Sequence, residues 1–155
     1  MNGPQHRPVA DNAELCKHLV EWGGDDLPPA LNPLVARFRD STRPEFYVSQ
    51  GWWPLLVRLE QRPATLDPTY RVSQVKSKFA VLQFYLEGMP RGDVGPAFAD
   101  AIREAEAEAA RTCELCGKPG VLCRSREGTY ALLCADDAGT AYRPANDSAD
   151  GSDPP

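Results

Sequence analysis

The segment CELCGKPGVLC from Cys113, followed by CADD at 134–137, constrains the fold more than any other part of the chain. A C-x-x-C turn brings two thiolates together from one tight loop, and the glycine after it eases the bend. Seventeen residues separate Cys116 from Cys134, a spacing that fits two ligand pairs of one zinc site. Between them the pattern reads as a turn, a short strand, a polar turn at 126–129 and a second strand that delivers Cys134. This predicts a zinc-ribbon-like β-hairpin around a structural Zn2+.

Two residues compete for the fourth ligand position. Asp137 completes C-x-x-D where such a module ordinarily has cysteine or histidine, and a carboxylate oxygen can bind zinc. Cys123 is the softer donor, but it lies on the first strand, where hairpin register decides which way it faces. The candidate metal ligands are therefore Cys113, Cys116, Cys134 and Cys123, with Asp137 competing for the last place.

Four of the five cysteines fall within this stretch, and the N-terminus lacks the basic and apolar regions of a secretory signal. In a reducing compartment such clustering favours metal over disulfides, so a cytoplasmic protein is expected. No apolar run approaches the roughly 20 residues needed to cross a bilayer. The formal charge of −5 argues against whole-surface attraction to nucleic acid.

Upstream, DNAELCKHLVEWGG carries an N-cap aspartate, a capping-box glutamate and a glycine stop, which predicts a helix with Leu15, Leu19 and Trp22 on one face and Cys16 packed beside them. In PPALNPLVARFRD, Pro28 and Pro29 can open a helix that Pro33 interrupts or restarts. SQGWWPLLVRLEQ reads as an amphipathic helix with Trp52, Leu55, Leu56 and Leu59 on its apolar face, ended early or kinked by Pro63. The paired tryptophans are expected to act as hydrophobic anchors rather than as a stacking platform.

YRVSQVKSKFAVLQFYLEG alternates as strands do, and Lys76–Lys78 reads as the polar break between two antiparallel strands. AFADAIREAEAEAART predicts a helix capped near Asp93, with Phe98, Ile102, Ala105 and Ala109 on one stripe. The expected fold is α+β: helices packed on a two-stranded antiparallel hairpin, with the C-terminal zinc-ribbon-like hairpin attached. In these terms 1–10 is a flexible arm, 11–111 the α+β body, 112–143 the zinc module and 144–155 a disordered acidic tail.

GWWPLLVRLE, LDPTYRVSQVKSKFAVLQFYLEG and EAEAEAARTCELCGKPGVL together resemble a family of small uncharacterised proteins encoded in phage and bacterial genomes. That family is similar in its GW-x-PL helix, its DP-x-Y turn, its Q-V-K-x-K-F hairpin and its C-x-x-C-G knuckle. The likeness spans roughly 51–137 and implies a zinc knuckle, with no activity attached. This chain departs from the family pattern at Ala80 and Val81, where a glycine pair is usual, and at Asp137, where histidine is usual.

Catalytic raw material is sparse. His6 and His18 sit in no nucleophile or metal motif, and neither a phosphate-binding glycine loop nor a dinucleotide fingerprint is present. EAEAEAA reads as an exposed helix face rather than as an acid/base pair. The expected function is a non-enzymatic, zinc-binding protein-interaction module with an unnamed protein partner. The alternative is a nucleic-acid-binding accessory protein using Arg111, Lys118, Arg124 and Arg126, with Arg71, Lys76 and Lys78 from the hairpin. Glu114, Glu127, Asp136 and Asp137 would offset that positive charge.

Overall fold

The two longest helices owe their pairing to a row of alanines. The computed structural model describes residues 27–88, 90 and 92–147, so the arm, the helix expected from Asp11 and most of the acidic tail lie outside the described residues. A 3-10 turn at Pro29–Leu31 runs into α1 (Asn32–Val35), and Pro33 sits in its first turn, where a missing N–H costs nothing. A second 3-10 turn (Gln50–Trp52) opens α2 (Trp53–Leu66). After a third, at Gly92–Val94, comes α3 (Gly95–Ala109).

Helix α3 buries Phe98, Ala101, Ala105 and Ala109, which recur at three- and four-residue spacing. Such small side chains let α2 approach closely with Leu55, Leu56 and Leu59. Along the rim of this contact Arg58 pairs with Glu108, and Arg62 with Glu104 at 2.7 Å. Two of the three glutamates of EAEAEAA, Glu104 and Glu108, thus pair with the neighbouring helix. Exposed pairs like these add only tenths of a kcal/mol, up to about 1.

Pro63 does not end α2, which continues to Leu66; the proline is buried in the last turns, where few hydrogen bonds remain to be lost. Asp93 is likewise not the cap of α3. Val94 holds that position without a side-chain bond, and Pro96 sets the first turn.

The body sheet has three strands, not two. Strands β2 (Val72–Lys78) and β3 (Val81–Leu86) form the expected antiparallel hairpin, and β1 (Phe46–Tyr47) adds a parallel strand on the far side of β2. The turn lies at Phe79–Ala80 rather than at Lys76–Lys78, because Lys76 and Lys78 are paired with Gln83 and Val81 within the ladder. Both turn residues have positive φ, 51° and 62°, as a two-residue turn matching strand twist demands. A bulge between Val72 and Gln74 shifts the alternation, so that Val72 and Val75 both point into the core with Leu82 and Phe84.

Beyond α3, β4 (Val121–Ser125) is the central strand of a second sheet, flanked by β5 (Tyr130–Leu133) and β6 (Tyr142–Pro144). A four-residue helix, α4 (Ala135–Ala138), links the two flanking strands. The hairpin expected here therefore gains a third strand: β6 pairs with β4 through Pro144, and the Ala145 N–H reaches the Leu122 carbonyl at 2.7 Å. The buried residues form two clusters, a large one in the body and a small one around Cys113, Cys123, Leu133 and Tyr142. Among the described residues no helix is long and apolar enough to cross a membrane.

Candidate metal centre

Two short turns, one after α3 and one after β5, bring four ligand atoms together. In the first, the Cys113 N–H donates to the Lys118 carbonyl at 2.7 Å, and the Gly117 N–H donates back to the Cys113 carbonyl at 3.0 Å. Closing this loop requires a left-handed residue, and Gly117 takes φ 77° at no steric cost. The amides of Leu115, Cys116 and Cys134 face the Cys113 sulfur, and that of Lys118 faces the Cys116 sulfur. N–H groups aimed at sulfur favour the thiolate.

In the second turn Cys134 caps α4, and the Asp137 N–H points at its sulfur at 3.5 Å. Residues i and i+3 share one side of a helical turn. The Asp137 carboxylate consequently folds back over Cys134 and toward the first knuckle.

The resulting quartet is Cys113, Cys116, Cys134 and Asp137, whose ligand atoms all lie within 4.8 Å of one another. Asp137 Oδ2 is 3.1 Å from Cys113 Sγ and 3.2 Å from Cys134 Sγ, and the Cys116 and Cys134 sulfurs are 3.6 Å apart. A tetrahedral ion with metal–sulfur bonds of about 2.3 Å and a metal–oxygen bond of about 2.0 Å has edges of about 3.8 Å between sulfurs and 3.5 Å between sulfur and oxygen. These atoms are already within tenths of an ångström of several such edges. Without a cation, burial pushes the Cys113 thiol up to about 11, and burial with the neighbouring Asp137 raises Cys116 as well. A bound dication reverses that balance and holds the sulfurs deprotonated. Four converging anionic donors fit a metal ion.

Cys123 stands apart from the quartet. On β4 it faces the small core, paired with Ala131 and Pro144, and its thiol lies 3.4 Å from the Val121 carbonyl and 4.0 Å from that of Leu133. Register turns this sulfur inward among apolar groups, where it packs as a small hydrophobe.

Contacts between the centre and the body come from residues the motif does not include. Glu114 is 2 % exposed. Its N–H donates to the Leu132 carbonyl at 2.9 Å, its own carbonyl accepts from the Gly51 N–H at 2.8 Å, and its Oε1 accepts from the Leu132 N–H at 3.2 Å and from the Ser77 hydroxyl at 3.3 Å. Burial pushes its carboxyl up to about 7. Glu114 is therefore no part of the surface acidity expected to offset nearby arginines. Trp52, fully buried, donates its indole N–H to the Thr112 carbonyl at 2.8 Å, and Trp53 donates to the Val48 carbonyl at 3.1 Å. Both rings are anchors. Nothing in the pattern of a lone Glu114 pointed to burial; the signal in the sequence was the GW pair, whose partner surface only the fold reveals.

No family model, curated protein or solved structure matches the chain.

Proposed function

We propose that the chain is a non-enzymatic, zinc-binding module, in which a structural Zn2+ on Cys113, Cys116, Cys134 and Asp137 closes a ribbon-like C-terminal unit against an α+β body that carries the binding surface. The observation behind this reading is the convergence of the four ligand atoms within 4.8 Å. Three sulfurs and one oxygen suit zinc better than the harder cations. A structural role follows from the donor count, since four protein atoms fill a tetrahedron and leave no position for a reactive water. The small cluster around the site has few large apolar side chains, so apparent metal-binding energies of roughly 10–16 kcal/mol would supply folding energy that its own core lacks.

Native mass spectrometry of protein purified under reducing conditions tests this reading. One zinc per chain, lost on Cys116→Ala and kept in Cys123→Ala, is the expected result. A metal-free wild type in zinc-replete buffer contradicts it.

A further inference from the structure

One face of the body sheet is buried and the other carries an unusual set of exposed side chains. The ladder fixes which residues share the outer face: Tyr47 lies beside Lys76, Lys76 beside Gln83, Lys78 beside Val81, and Gln74 beside Tyr85. Tyr47, Val81 and Tyr85 are 39 %, 51 % and 43 % exposed, and these are large apolar groups that ordinarily seek cover. The opposite face holds Phe46, Val75, Leu82 and Phe84 in the core. The exposure of the outer face is thus built in by strand alternation.

The chemistry of this face is specific. Lys76 Nζ sits 5.7 Å from the centre of the Tyr85 ring, and the Tyr85 hydroxyl donates to Gln83 Oε1 at 2.8 Å, which holds the ring between cation and amide. The paired rows carry two lysines and no carboxylate. Glu45, just before β1, accepts from the Gln74 amide at 3.0 Å and keeps its negative charge at the edge of this face, and Glu87, just after β3, pairs with Arg39. A net negative chain therefore places two lysines, against the single charge of Glu45, beside flat aromatic surface on one patch. Tyr47 and Tyr85 stand two strands apart and two residues out of register, about 12 Å from each other, with Lys76 on the strand between them.

From this complementarity we infer that the outer face of β1, β2 and β3 binds single-stranded nucleic acid, with bases stacking on Tyr47 and Tyr85 and phosphates meeting Lys76 and Lys78. Aromatic rings accept any base face, and lysines on a sheet follow the backbone without reading sequence. A duplex, whose bases are already stacked, cannot use the tyrosines in this way. The inference rests on the reading of the chain as a binding module and names its ligand class. It places nucleic acid on the body sheet rather than on the arginines of the C-terminal unit.

Fluorescence anisotropy with labelled 15-mers of oligo(dT) and oligo(U), at two salt concentrations, tests it on the full chain. The wild type should bind both, more weakly at higher salt. Tyr85→Ala and Tyr47→Ala should each weaken binding about tenfold, as loss of one stacked base does. Lys76→Glu should weaken it and flatten the salt dependence, whereas Arg124→Glu should leave it unchanged. Silence of the wild type at low salt, affinity that survives both tyrosine variants, equal affinity for duplex, or loss on Arg124→Glu alone would each overturn the assignment. Zinc content and circular dichroism measured on the same samples separate this outcome from a failure of the metal reading or of folding, because all four side chains are at the surface.

Discussion

Gly51 donates its backbone N–H to the Glu114 carbonyl at 2.8 Å, and this contact seats the C-x-x-C knuckle directly on the start of α2. A Cβ at Gly51 would drive into the Cys113 and Glu114 carbonyls, and Gly117 packs on the same spot with its own Cβ position 3.1 Å from the Gly51 carbonyl oxygen. Backbone meets backbone here, with no flexible side chain to yield. Gly51→Ala should destabilise the protein by about 1–3 kcal/mol, the usual cost of forcing extra volume into a packed contact. Urea denaturation at fixed zinc measures it; an unchanged midpoint would mean that the knuckle does not rest on Gly51.

Removing Asp137 should act on the metal rather than on the fold as a whole. If one ligand supplies about a quarter of roughly 10–16 kcal/mol, Asp137→Ala loses about 3 kcal/mol, or about two orders of magnitude in zinc affinity. Competition with a chromogenic chelator reads this directly. Cys123→Ala, by contrast, should keep wild-type affinity.

The legibility of the site in the sequence divides along physical lines. Spacing alone pointed to Cys113, Cys116 and Cys134, which the fold brings together, because a C-x-x-C turn pairs its sulfurs whatever surrounds it and a hairpin of this length returns the third cysteine to them. The choice between Cys123 and Asp137 depended on which face of β4 the cysteine takes, and that is set by pairing with β5 and β6, a non-local property. Two short strands, β1 and β6, were invisible because two or three residues carry no periodicity. The Phe79–Ala80 turn was hidden for a different reason. Neither residue type favours positive φ, so the local signal pointed to the polar lysines beside it.

That turn supplies a prediction of its own. Left-handed backbone costs an ordinary residue about 1–2 kcal/mol, and both turn residues adopt it. Replacing the exposed Phe79 by Asn, while keeping Ala80 because its methyl is buried in the core, should stabilise the protein by about 0.5–1 kcal/mol. Thermal unfolding of Phe79→Asn checks it, and a lower melting temperature would argue against the assigned turn.

Metal uptake should depend on pH with a definite sign. Burial raises the Cys113 thiol to about 11 and lifts Cys116 above its ordinary value, so these groups carry protons at neutral pH in the metal-free fold. Binding must displace those protons. Apparent affinity should therefore climb with pH through neutrality, by about tenfold per unit for each proton released. Calorimetry in buffers of different ionisation enthalpy counts the protons; none released would contradict the buried-thiol account.

Chelation should loosen one part of the molecule and spare another. The body core contains Trp52, Phe46, Phe98 and a full set of leucines, whereas the cluster beneath the candidate metal centre is mainly cysteine, alanine, one leucine and one tyrosine. Stripping zinc should abolish hydrogen-exchange protection over β4, β5 and β6 while α2, α3 and the β2–β3 hairpin keep theirs. Uniform loss across the chain would show instead that the two clusters unfold as one unit.

The central claim is that a single zinc is held by three sulfurs and the Asp137 carboxylate, and zinc K-edge X-ray absorption of the purified protein tests it most directly. The predicted first shell has three sulfurs at about 2.3 Å and one oxygen at about 2.0 Å, with the oxygen lost in Asp137→Cys. A shell of four sulfurs in the wild type, or no bound zinc, would contradict it.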